Sequence, residues 1–263
     1  ESQIDWSQPV YMQPKLDGVR CIFTKDGAFS RTGKRFMNVK HIEAELQELF
    51  KQHPHLILDG ELYNHNLKDD FEKIVSLVRK QKPTDEDRSE ARRLIQYYVY
   101  DYVNGKDFDY KKRQDNLTCS NMYCPSIRYT DTKRVTTPAM IKVLHDKWLD
   151  MGYEGSIIRL NGPYENKRSK NLLKVKDFSD SEAKIIDFVE GKGKRRGTIG
   201  KFIAVDSQGM QFGMPVMDKF KYLQDNFKEM QTWIGKIATF TYFERTKRGS
   251  YRHPLFKALR NYE

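Results

Sequence analysis

Three stretches of the chain place apolar residues at the three- and four-residue spacing of an amphipathic helix. They are residues 38–50, 69–82 and 137–150. A residue that commonly caps helices opens each stretch, and these residues are Asn38, Asp69 and Thr137. The pattern therefore predicts three helices, the last of which stops at Gly152.

Between these stretches lie short runs rich in β-branched and aromatic residues, which favour strands. Up to about residue 177 they are HLILDGELY, IQYYVYDYV, EGSIIRL and NLLKVK. Beyond that point glycine turns separate further strand patterns, AKIIDFVEG, GKFIAVD, GMQFGM and KIATFTYFE, with one helical stretch, MDKFKYLQDNFKEM. Short strands with one helix are typical of a small Greek-key barrel, of which the OB-fold is the commonest at this size.

This change of pattern divides the chain into two predicted domains. The first, residues 1–177, mixes strands and helices, and the second, residues 178–263, consists mostly of short strands. We place a hinge near Asp177–Asp180. The expected fold class is α+β, with a sheet-and-helix domain followed by a β-barrel of the OB type.

Composition narrows the choice of partners. Lys and Arg total 47 against 36 Asp and Glu, which leaves a formal net charge of +11. This surplus favours an anionic partner, and nucleic acid is the simplest one. No apolar run approaches the length of a membrane-spanning helix, so no membrane partner is expected. The first ten residues lack the pattern of a signal peptide, although a removed leader stays open because the chain begins at Glu1.

The cysteines and histidines indicate neither a disulfide framework nor a metal site. Cys21, Cys119 and Cys124 are an odd number without paired spacing, which suggests a reducing compartment. The six histidines are scattered, and none forms a pair with metal-ligand spacing. We therefore expect a cytoplasmic protein whose chemistry does not centre on histidine.

The stretch QPKLDGVR, residues 13–20, brings Lys15, an Asp17-Gly18 turn and Arg20 close together. A lysine is a nucleophile only as the free amine, and its ordinary pKa of about 10.4 makes that form rare at neutral pH. Nearby cations or a divalent metal lower the pKa and free the lone pair. Arg20 could hold a phosphate beside such an amine. A plain surface turn is the alternative if no other phosphate- or metal-binding groups occur.

Such groups do occur at the ends of predicted strands. Glu61 ends one strand in LDGEL, and Glu154 begins another in YEGSIIRL. Two carboxylates at strand ends suit Mg²⁺, which binds a few carboxylates, water and phosphate oxygens. Lys174 and Lys176 are two residues apart in LLKVK, so they should share one face of a strand and suit the charge that develops in phosphoryl transfer.

In order along the chain, KLDGVR, SRTGK, LDGEL, YYVYD, EGSIIR and LLKVK resemble the motif set of the covalent nucleotidyltransferases. Within that superfamily the chain is similar to the small ATP-dependent DNA ligases of viruses, phages and bacteria. The resemblance implies a nucleotidyltransferase (adenylation) domain at 1–177, with antiparallel sheets and flanking helices, followed by an OB-fold β-barrel at 178–263. It also implies that nicks in duplex DNA are sealed with ATP and Mg²⁺, with Mn²⁺ as an alternative metal.

The resemblance implies how the chain would hold the nucleotide. Lys15 would attack the α-phosphate of ATP, expel pyrophosphate and keep AMP as a lysyl phosphoramidate. Asp17 and Arg20 would contact the ribose and phosphates, and Tyr100 would stack on the adenine where many relatives have phenylalanine. Gln13 stands where relatives often have Glu or Thr, and it could still bind the adenine amino group through its amide or backbone.

The same resemblance implies which groups act on the metal and the phosphates. Glu61 would bind the ribose hydroxyl or the metal, and Glu154 would bind the metal. Lys174 and Lys176 would neutralise the α-phosphate. Arg31, in SRTG, would hold the AMP phosphate or the 5′-phosphate at the nick.

Further contacts are implied for three other regions. Arg168, shortly before LLKVK, would contact the nick. The C-terminal stretch resembles the end of ligase OB domains, where Arg252 or Arg260 would orient the ATP pyrophosphate and Arg252 would lie near DNA. The loop GKGKRRG, residues 191–197, would be a solvated turn in isolation but would follow the DNA backbone in a ligase OB domain. Its cations are Lys192, Lys194, Arg195 and Arg196.

We expect a minimal, monomeric enzyme that acts on nicked double-stranded DNA in the cytoplasm of a bacterium or of a phage- or virus-infected cell. Fourteen residues precede Lys15, and the loop at 191–197 has no long insertion, so neither a separate DNA-binding domain nor a latch is expected. The OB domain would rotate about the hinge between closing over ATP and clamping the duplex.

Other functions stay open from the sequence. An RNA ligase or an mRNA guanylyltransferase would use the same lysine chemistry. The OB-like tail and SRTG favour a DNA ligase over capping, but no motif reads a 2′-hydroxyl to exclude RNA. A non-catalytic nucleic-acid clamp would have no need for the whole constellation of Lys15, Glu61, Glu154, Lys174 and Lys176.

Overall fold

The structure is a computed structural model that describes residues 4–104, 107–120, 122, 124–167, 169–246 and 249–260. Backbone contacts divide the chain into two compact units, Glu1–Val175 and Lys176–Glu263. This division lies close to the boundary that the sequence predicts after residue 177. Within the described ranges, no helix is long and apolar enough to cross a membrane.

The first unit mixes strands with helices. Its described strands are β1 (Val10–Pro14), β2 (Val19–Thr24), β3 (Gly27–Phe29), β4 (Ile57–Tyr63), β5 (Gln96–Val103), β6 (Ile127–Tyr129), β7 (Lys133–Val135), β8 (Ser156–Leu160) and β9 (Leu172–Val175). Its described helices are α1 (Lys40–Gln52), α2 (Phe71–Val78), α3 (Asp85–Leu94), α4 (Tyr110–Cys119) and α5 (Pro138–Asp150).

One sheet of this unit has four strands in the order β7–β1–β8–β9, and its pairs are all antiparallel. α5 packs on the sheet through the fully buried Trp148. Met12 of β1 and Ile158 of β8 lie side by side in that core because the register pairs them. Lys15 directly follows β1, and Glu154 lies two residues before β8, so the pairing of these strands brings the two residues close together.

The other sheet has five strands in the order β3–β2–β4–β5–β6. It is mixed rather than antiparallel as predicted, because β5 and β6 are parallel and are joined through α4, the kind of crossover that parallel strands need. Successive residues of a strand face opposite sides. The sheet thus buries Phe23, Leu58 and Tyr97 in the main core and turns Arg20 and Glu61, which are paired in the register, to its other face.

The second unit is a single antiparallel sheet with a helical connection. Its strands are β10 (Ser179–Glu190), β11 (Ile199–Val205), β12 (Gln211–Pro215), β13 (Ile237–Tyr242) and β14 (Leu255–Leu259), in the order β12–β11–β10–β13–β14. Two short helices, α6 (Phe220–Asp225) and α7 (Phe227–Gln231), join β12 to β13. Its own core is built around Phe202, Met214 and Phe240.

The predicted β-barrel is confirmed only as an OB-like sheet. β12 and β14 are the two edges, and within the described residues no strand pairing closes the sheet between them. Trp233, which follows α7, stacks on Phe256 of β14 with ring centroids 5.7 Å apart, and it also contacts Phe202 of β11. Side chains, rather than a further strand pair, therefore cover β14, as in a partly open barrel.

The sequence predicts α1, α2 and α5 but misplaces two caps. Asn38 does not cap α1, because its buried amide nitrogen instead donates to backbone carbonyls in α2 and α3, at 3.0 and 3.3 Å. α2 is capped by Asp70 rather than Asp69, since the Asp70 carboxylate accepts from the Lys73 N–H at 3.3 Å. Thr137 caps α5 as predicted.

Two helices of the first unit were not predicted. α3 begins with a capping box at Thr84, and α4 begins with the Asp109 cap. Apolar periodicity misses α3 because Ala91 is the one residue that this helix buries among its described positions. In the second unit, the single helix predicted within 217–230 is two helices that meet at Asn226.

Candidate active site

A cleft of about 650 Å³ in the first unit is lined by residues of both sheets. β1, β8 and β9 supply one side, and β2, β4 and β5 supply the other. Its volume falls within the range of small-molecule sites, about 300–1,000 Å³. The cleft brings together these predicted site residues: Gln13, Lys15, Arg20, Arg31, Glu61, Tyr100 and Lys174.

Lys15 follows the end of β1 and is fixed to the start of β8. Its N–H donates to the Gly155 carbonyl at 2.8 Å, and its own carbonyl accepts from the Glu154 N–H at 3.1 Å. The Lys15 ammonium forms an ion pair with the Glu154 carboxylate, and that side chain is only 4% exposed. Two backbone bonds and a buried partner therefore hold the amine in one position in the cleft.

Gly18, in the turn after Lys15, lets the chain pass closely over β4. A Cβ at this position would lie 2.5 Å from the Leu62 carbonyl oxygen and 2.8 Å from Cγ of Glu61. The turn that follows the nucleophile is thereby seated against the strand that carries Glu61. Asp17, in the same turn, is half-buried and is not among the residues that line the cleft.

The Glu61 side chain faces the cleft without a donor. Among the described residues, no side chain or backbone N–H forms a hydrogen bond with its carboxylate. Burial raises the pKa of Glu61 to about 8, and the positive charge of Lys15 opposes that rise. A carboxylate in these surroundings is poised to bind a hydroxyl group or a cation.

Arg20 is committed to a buried carboxylate. Its Nε donates to Oδ1 of Asp59 at 2.9 Å, and a second guanidinium nitrogen donates to Oδ2. The Tyr164 hydroxyl donates to Oδ2 as well, at 2.9 Å. Burial lowers the pKa of Arg20, but the hydrogen bonds and charge of Asp59 outweigh it and hold the pKa above its ordinary value. A phosphate contact by Arg20 would therefore share the guanidinium with Asp59.

Gln13 is 1% exposed, and its amide is bound at both ends. Its Oε1 accepts from Nε of Arg159 at 2.6 Å. Its Nε2 donates to the Tyr110 hydroxyl at 3.0 Å and to Oγ1 of Thr132 at 2.7 Å. NH1 of Arg159 lies 3.6 Å from Oδ2 of Asp101, which places a buried anion behind this arginine. The predicted base-contacting residue is thus part of a buried polar network.

Tyr100 reaches the cleft through a bulge. The β4–β5 register passes from Asp59–Asp101 to Gly60–Val99, so Tyr100 is the additional residue on β5. The Arg159 guanidinium lies 4.6 Å from the centroid of the Tyr100 ring. One ring face therefore already has a cationic neighbour, and the adenine stack expected of Tyr100 stays a prediction.

Only one of the two lysines predicted to share a strand, Lys174, lies on that strand in the structure. Lys174 is exposed on β9 and lines the cleft. β9 ends at Val175, because its pairing with β8 ends at the Ser156–Val175 pair. Lys176 belongs to the second unit, where its ammonium lies 4.3 Å from the Phe243 ring centroid. The expectation that both lysines share one strand face is therefore wrong.

The other predicted cations lie outside the strands of the cleft. Arg31 is exposed in the turn after β3 and forms no ion pair within the part of the chain that the structure describes. Arg252 pairs with Glu244, and Arg260 pairs with Glu182, in the second unit. Arg168 lies outside the described residues.

The basic loop at 191–197 connects β10 to β11. A 3₁₀ turn at Gly193–Arg195 forms its tip, and Gly193 and Gly197 take positive φ angles of 61° and 74°. A backbone bond from the Gly191 N–H to the Thr198 carbonyl at 2.9 Å closes the loop, and the Gly197 N–H donates to the Glu190 side chain at Oε1, 2.8 Å away. All four cations are exposed, and none has an acidic partner among the residues described: Lys192, Lys194, Arg195 and Arg196.

Glu61 lines the cleft and Glu154 pairs with the cleft residue Lys15, and the two carboxylates fit a metal that keeps water and phosphate ligands. Across the described ranges, no group of three or more His, Cys, Asp or Glu residues could hold a metal ion by itself. Glu61 and Glu154 are nevertheless oxygen ligands of the kind that Mg²⁺ takes one or two at a time. A metal shared with substrate phosphates fits these residues, and an all-protein metal cage does not.

Several cleft residues were missed in the sequence. Asp59 and Arg159 lie inside the motifs LDGEL and EGSIIR, and Asp59 shares a strand face with Glu61 because two positions separate them. That spacing was a usable signal. Tyr110 begins α4 and Tyr164 lies in the loop after β8, and neither has a local pattern that predicts a place in the cleft.

The chain matches known proteins along its length. The family model described as the ATP dependent DNA ligase domain matches residues 4–176. The DNA ligase of African swine fever virus (strain Badajoz 1971 Vero-adapted) is 31% identical over 207 residues, which are 72% of this chain and 46% of the viral protein. The DNA ligase of Haemophilus influenzae is 25% identical over 261 residues, which are 95% of this chain and 87% of that protein.

Solved structures share the fold. A Lig E DNA ligase, studied for DNA binding with a minimal scaffold, superimposes with a TM-score of 0.77 at 21% identity, covering 98% of this chain and 95% of that one. The chain spans about half the length of the viral relatives that it matches. The family model nevertheless covers well over half of this chain. The chain therefore belongs to the family of ATP-dependent DNA ligase domains.

Proposed function

We propose that this protein is an ATP-dependent DNA ligase that joins a 3′-hydroxyl to a 5′-phosphate at a nick in duplex DNA. The observation that carries the proposal is the Lys15 amine, held in the cleft by the buried Glu154 carboxylate and by backbone bonds to the start of β8. One fixed amine among aromatic rings and cations suits a nucleoside triphosphate. The DNA ligases named among the relatives support the same conclusion.

The proposed reaction has three steps. Nζ of Lys15 bonds to the α-phosphorus of ATP while the bond to the bridging oxygen breaks and pyrophosphate leaves; the ammonium loses one proton before the attack and one after it. A 5′-phosphate oxygen of the DNA then takes the AMP group, and Lys15 leaves with a proton. Finally the 3′-hydroxyl oxygen bonds to that 5′-phosphorus, gives up its proton and releases AMP.

The cleft residues supply position and charge for these steps. Glu154 orients the Lys15 amine toward the nucleotide. Glu61 and Glu154 would hold Mg²⁺, or Mn²⁺ in its place, and that ion would supply neutralisation of the phosphate charge. Arg31 and Lys174 line the same cleft and would bind phosphate oxygens. We propose further phosphate or DNA contacts for residues outside the cleft: Arg168, Lys176, Arg252 and Arg260.

We further propose that residues 1–177 form the adenylation domain and residues 178–263 an OB-fold domain, with a hinge near Asp177–Asp180. The exposed loop at 191–197 would follow the backbone of nicked double-stranded DNA, and the enzyme would act as a monomer. We also propose that the reaction takes place in the cytoplasm of a bacterium or of a phage- or virus-infected cell.

The test is incubation with α-labelled ATP and magnesium, followed by a chase with nicked DNA. The wild-type protein should become labelled and should pass the label to the 5′-phosphate during sealing. Lys15→Ala should not be labelled, whereas Lys51→Ala, an exposed lysine on α1, should behave as the wild type. A labelled Lys15→Ala protein would overturn the assignment. Nicks with RNA on either side would show which sugar the enzyme accepts at each end.

A further inference from the structure

The hydrogen bonds around Gln13 have a direction that chemistry alone decides. An arginine side chain has only donors, so the Gln13 atom 2.6 Å from Nε of Arg159 must be the amide oxygen. The amide nitrogen therefore faces the hydroxyls of Tyr110 and Thr132. Arg159 therefore fixes the orientation of the Gln13 amide.

The two hydroxyls that accept from Gln13 direct their own protons elsewhere. The Tyr110 hydroxyl donates to the Tyr100 carbonyl at 3.3 Å, and the Thr132 hydroxyl donates to the Thr130 carbonyl at 3.1 Å. Both N–H bonds of the Gln13 amide are thereby used. Gln13 lines the cleft, and the one group of its side chain that a ligand there can still bind is the second lone pair of Oε1.

The network is too well anchored for the amide to turn. Arg159 is held between Gln13, the Asp101 carboxylate at 3.6 Å and the ring of Tyr100. Asp101 is itself bound by Nε of Arg113 at 2.7 Å. Rotating the Gln13 amide would set its N–H groups against a guanidinium and leave buried donors without acceptors, which is strongly unfavourable.

We propose that Tyr110 and Thr132 are positioning residues that restrict Gln13 to accepting hydrogen bonds, so that the cleft selects a purine with an amino group at position 6. An adenine amino group can donate to the remaining lone pair of Oε1. The carbonyl oxygen that guanine and hypoxanthine carry at position 6 is itself an acceptor. It would face Oε1 of Gln13 with no proton between them, and both oxygens would lack a hydrogen bond. The inference rests on the proposed function, because it takes the nucleotide base to lie beside Gln13.

The first test is equilibrium binding to the full chain, measured by calorimetry without divalent metal so that no turnover occurs. ATP, ITP and 2,6-diaminopurine riboside triphosphate separate the group at position 6 from the group at position 2. The diaminopurine nucleotide should bind nearly as tightly as ATP. ITP should bind at least about tenfold more weakly, since an unsatisfied buried polar group has about that effect.

Variants test the positioning role. Tyr110→Phe and Thr132→Val each remove one hydroxyl that accepts from the Gln13 amide, so the amide is held less firmly in its accepting orientation and each variant should lower the ratio of ATP to ITP affinity by about fivefold or more. Gln13→Glu should keep the preference for ATP, because a carboxylate can only accept. Tyr11→Phe is the matched control, since this ring packs 5.3 Å from the Tyr110 ring but its hydroxyl bonds to none of the described residues.

The outcomes separate this inference from the proposed function. If ITP binds the wild-type protein as tightly as ATP, or if the two variants weaken both nucleotides equally, the positioning role is wrong even when ATP labels Lys15. If ATP neither binds nor labels Lys15, the proposed function fails first. The comparison of ATP with ITP on the wild-type protein needs no variant, so equal binding would overturn the inference even where a variant does not fold.

Discussion

Glu61 in the first unit and Asp206 in the second are both carboxylates in or beside a strand of a sheet, yet their surroundings differ in kind. Asp206, just after β11, is 2% exposed at its side chain. It accepts four hydrogen bonds, from the N–H groups of Gln208 and Met210, the Tyr251 hydroxyl and the Arg245 guanidinium. Among the residues that the structure describes, Glu61 accepts none.

The pKa values follow from that difference. Burial raises the pKa of Asp206, but the N–H groups of Met210 and Gln208, the Tyr251 hydroxyl and the Arg245 charge outweigh it and hold the pKa below its ordinary value. Burial raises the pKa of Glu61 to about 8, because no comparable set of donors opposes it. A carboxylate that is fully bonded holds a fold together, whereas one left without donors in a cleft is available for a ligand.

The largest expected effect concerns Glu154, the buried carboxylate that pairs with Lys15. Glu154→Ala should lower adenylation and sealing by at least about a hundredfold, because the Lys15 amine loses the group that orients it. The thermal midpoint should change little. Asp206→Asn is the matched control, since it removes a carboxylate from the second unit and should leave adenylation of Lys15 intact. Normal sealing by Glu154→Ala would show that this carboxylate has no part in the chemistry.

The next largest effect is on stability rather than on activity, and it concerns Asp206. Asp206→Asn should lower the free energy of unfolding of the second unit by about 2 kcal/mol at neutral pH, since donors that bind the carboxylate lose an acceptor. The folded-state pKa is below the ordinary 3.8, so the stability that Asp206 contributes is present above pH 3.8 and is lost as the pH falls through the folded-state value. Denaturant titrations from pH 7 to pH 2 measure this. A loss of stability that is the same at every pH would contradict the assigned role.

Local sequence patterns predicted many of the site residues and many of the strands and helices. Lys15 was predicted from the short motif KLDGVR with its Asp-Gly turn, and Glu61 and Glu154 were predicted from motifs at the ends of predicted strands. Such patterns also predicted β4, β5, β8 and β9 of the first unit and β10 to β13 of the second, but not β1 and β2, the strands on either side of Lys15. The predicted Asn38 cap of α1 is wrong because a contact distant in the chain replaces it. The Asn38 side chain suits a cap, but it donates to backbone carbonyls in α2 and α3 instead.

The rest of the site depends on partners that are distant in the chain. The Gln13 amide binds Tyr110 and Thr132, which are 97 and 119 positions away. Tyr100 faces the cleft because of a bulge between β4 and β5, and a bulge leaves no mark in the hydrophobic pattern of one strand. Lys176 lies outside β9 because the pairing of β9 with β8 ends at Ser156–Val175, and the next carbonyl, that of Gly155, accepts from the Lys15 N–H. Each of these results needs the register of two strands or a tertiary contact, which no single segment contains.

A smaller effect is expected from the loop of the second unit, where charge is exposed rather than buried. Replacing Lys192, Lys194, Arg195 and Arg196 with alanine should weaken nick binding and flatten its salt dependence by up to about one unit per lost phosphate contact. Labelling of Lys15 by ATP should persist, because the cleft lies in the first unit. The matched control replaces four exposed lysines of the same unit: Lys219, Lys221, Lys228 and Lys236. Equal slopes for both variants would show that net charge acts rather than the loop.

The smallest effect tests the comparison most directly. Glu61→Gln should make the first unit more stable by about 1 kcal/mol at pH 8.5 in the absence of nucleotide and metal, because it removes a half-buried charge that accepts no hydrogen bond from the described residues. The folded-state pKa of about 8 lies above the ordinary 4.5, so the folded state binds the proton more tightly than the unfolded state. Ionisation of Glu61 therefore lowers stability as the pH rises between those two values and adds nothing more above them. The advantage of Glu61→Gln should be near zero at pH 4.5 and should grow toward pH 8, whereas the change for Asp206→Asn has the opposite sign. If Glu61→Gln is less stable than the wild type at pH 8.5, the Glu61 carboxylate has donors after all, and the two carboxylates do not differ as the structure indicates.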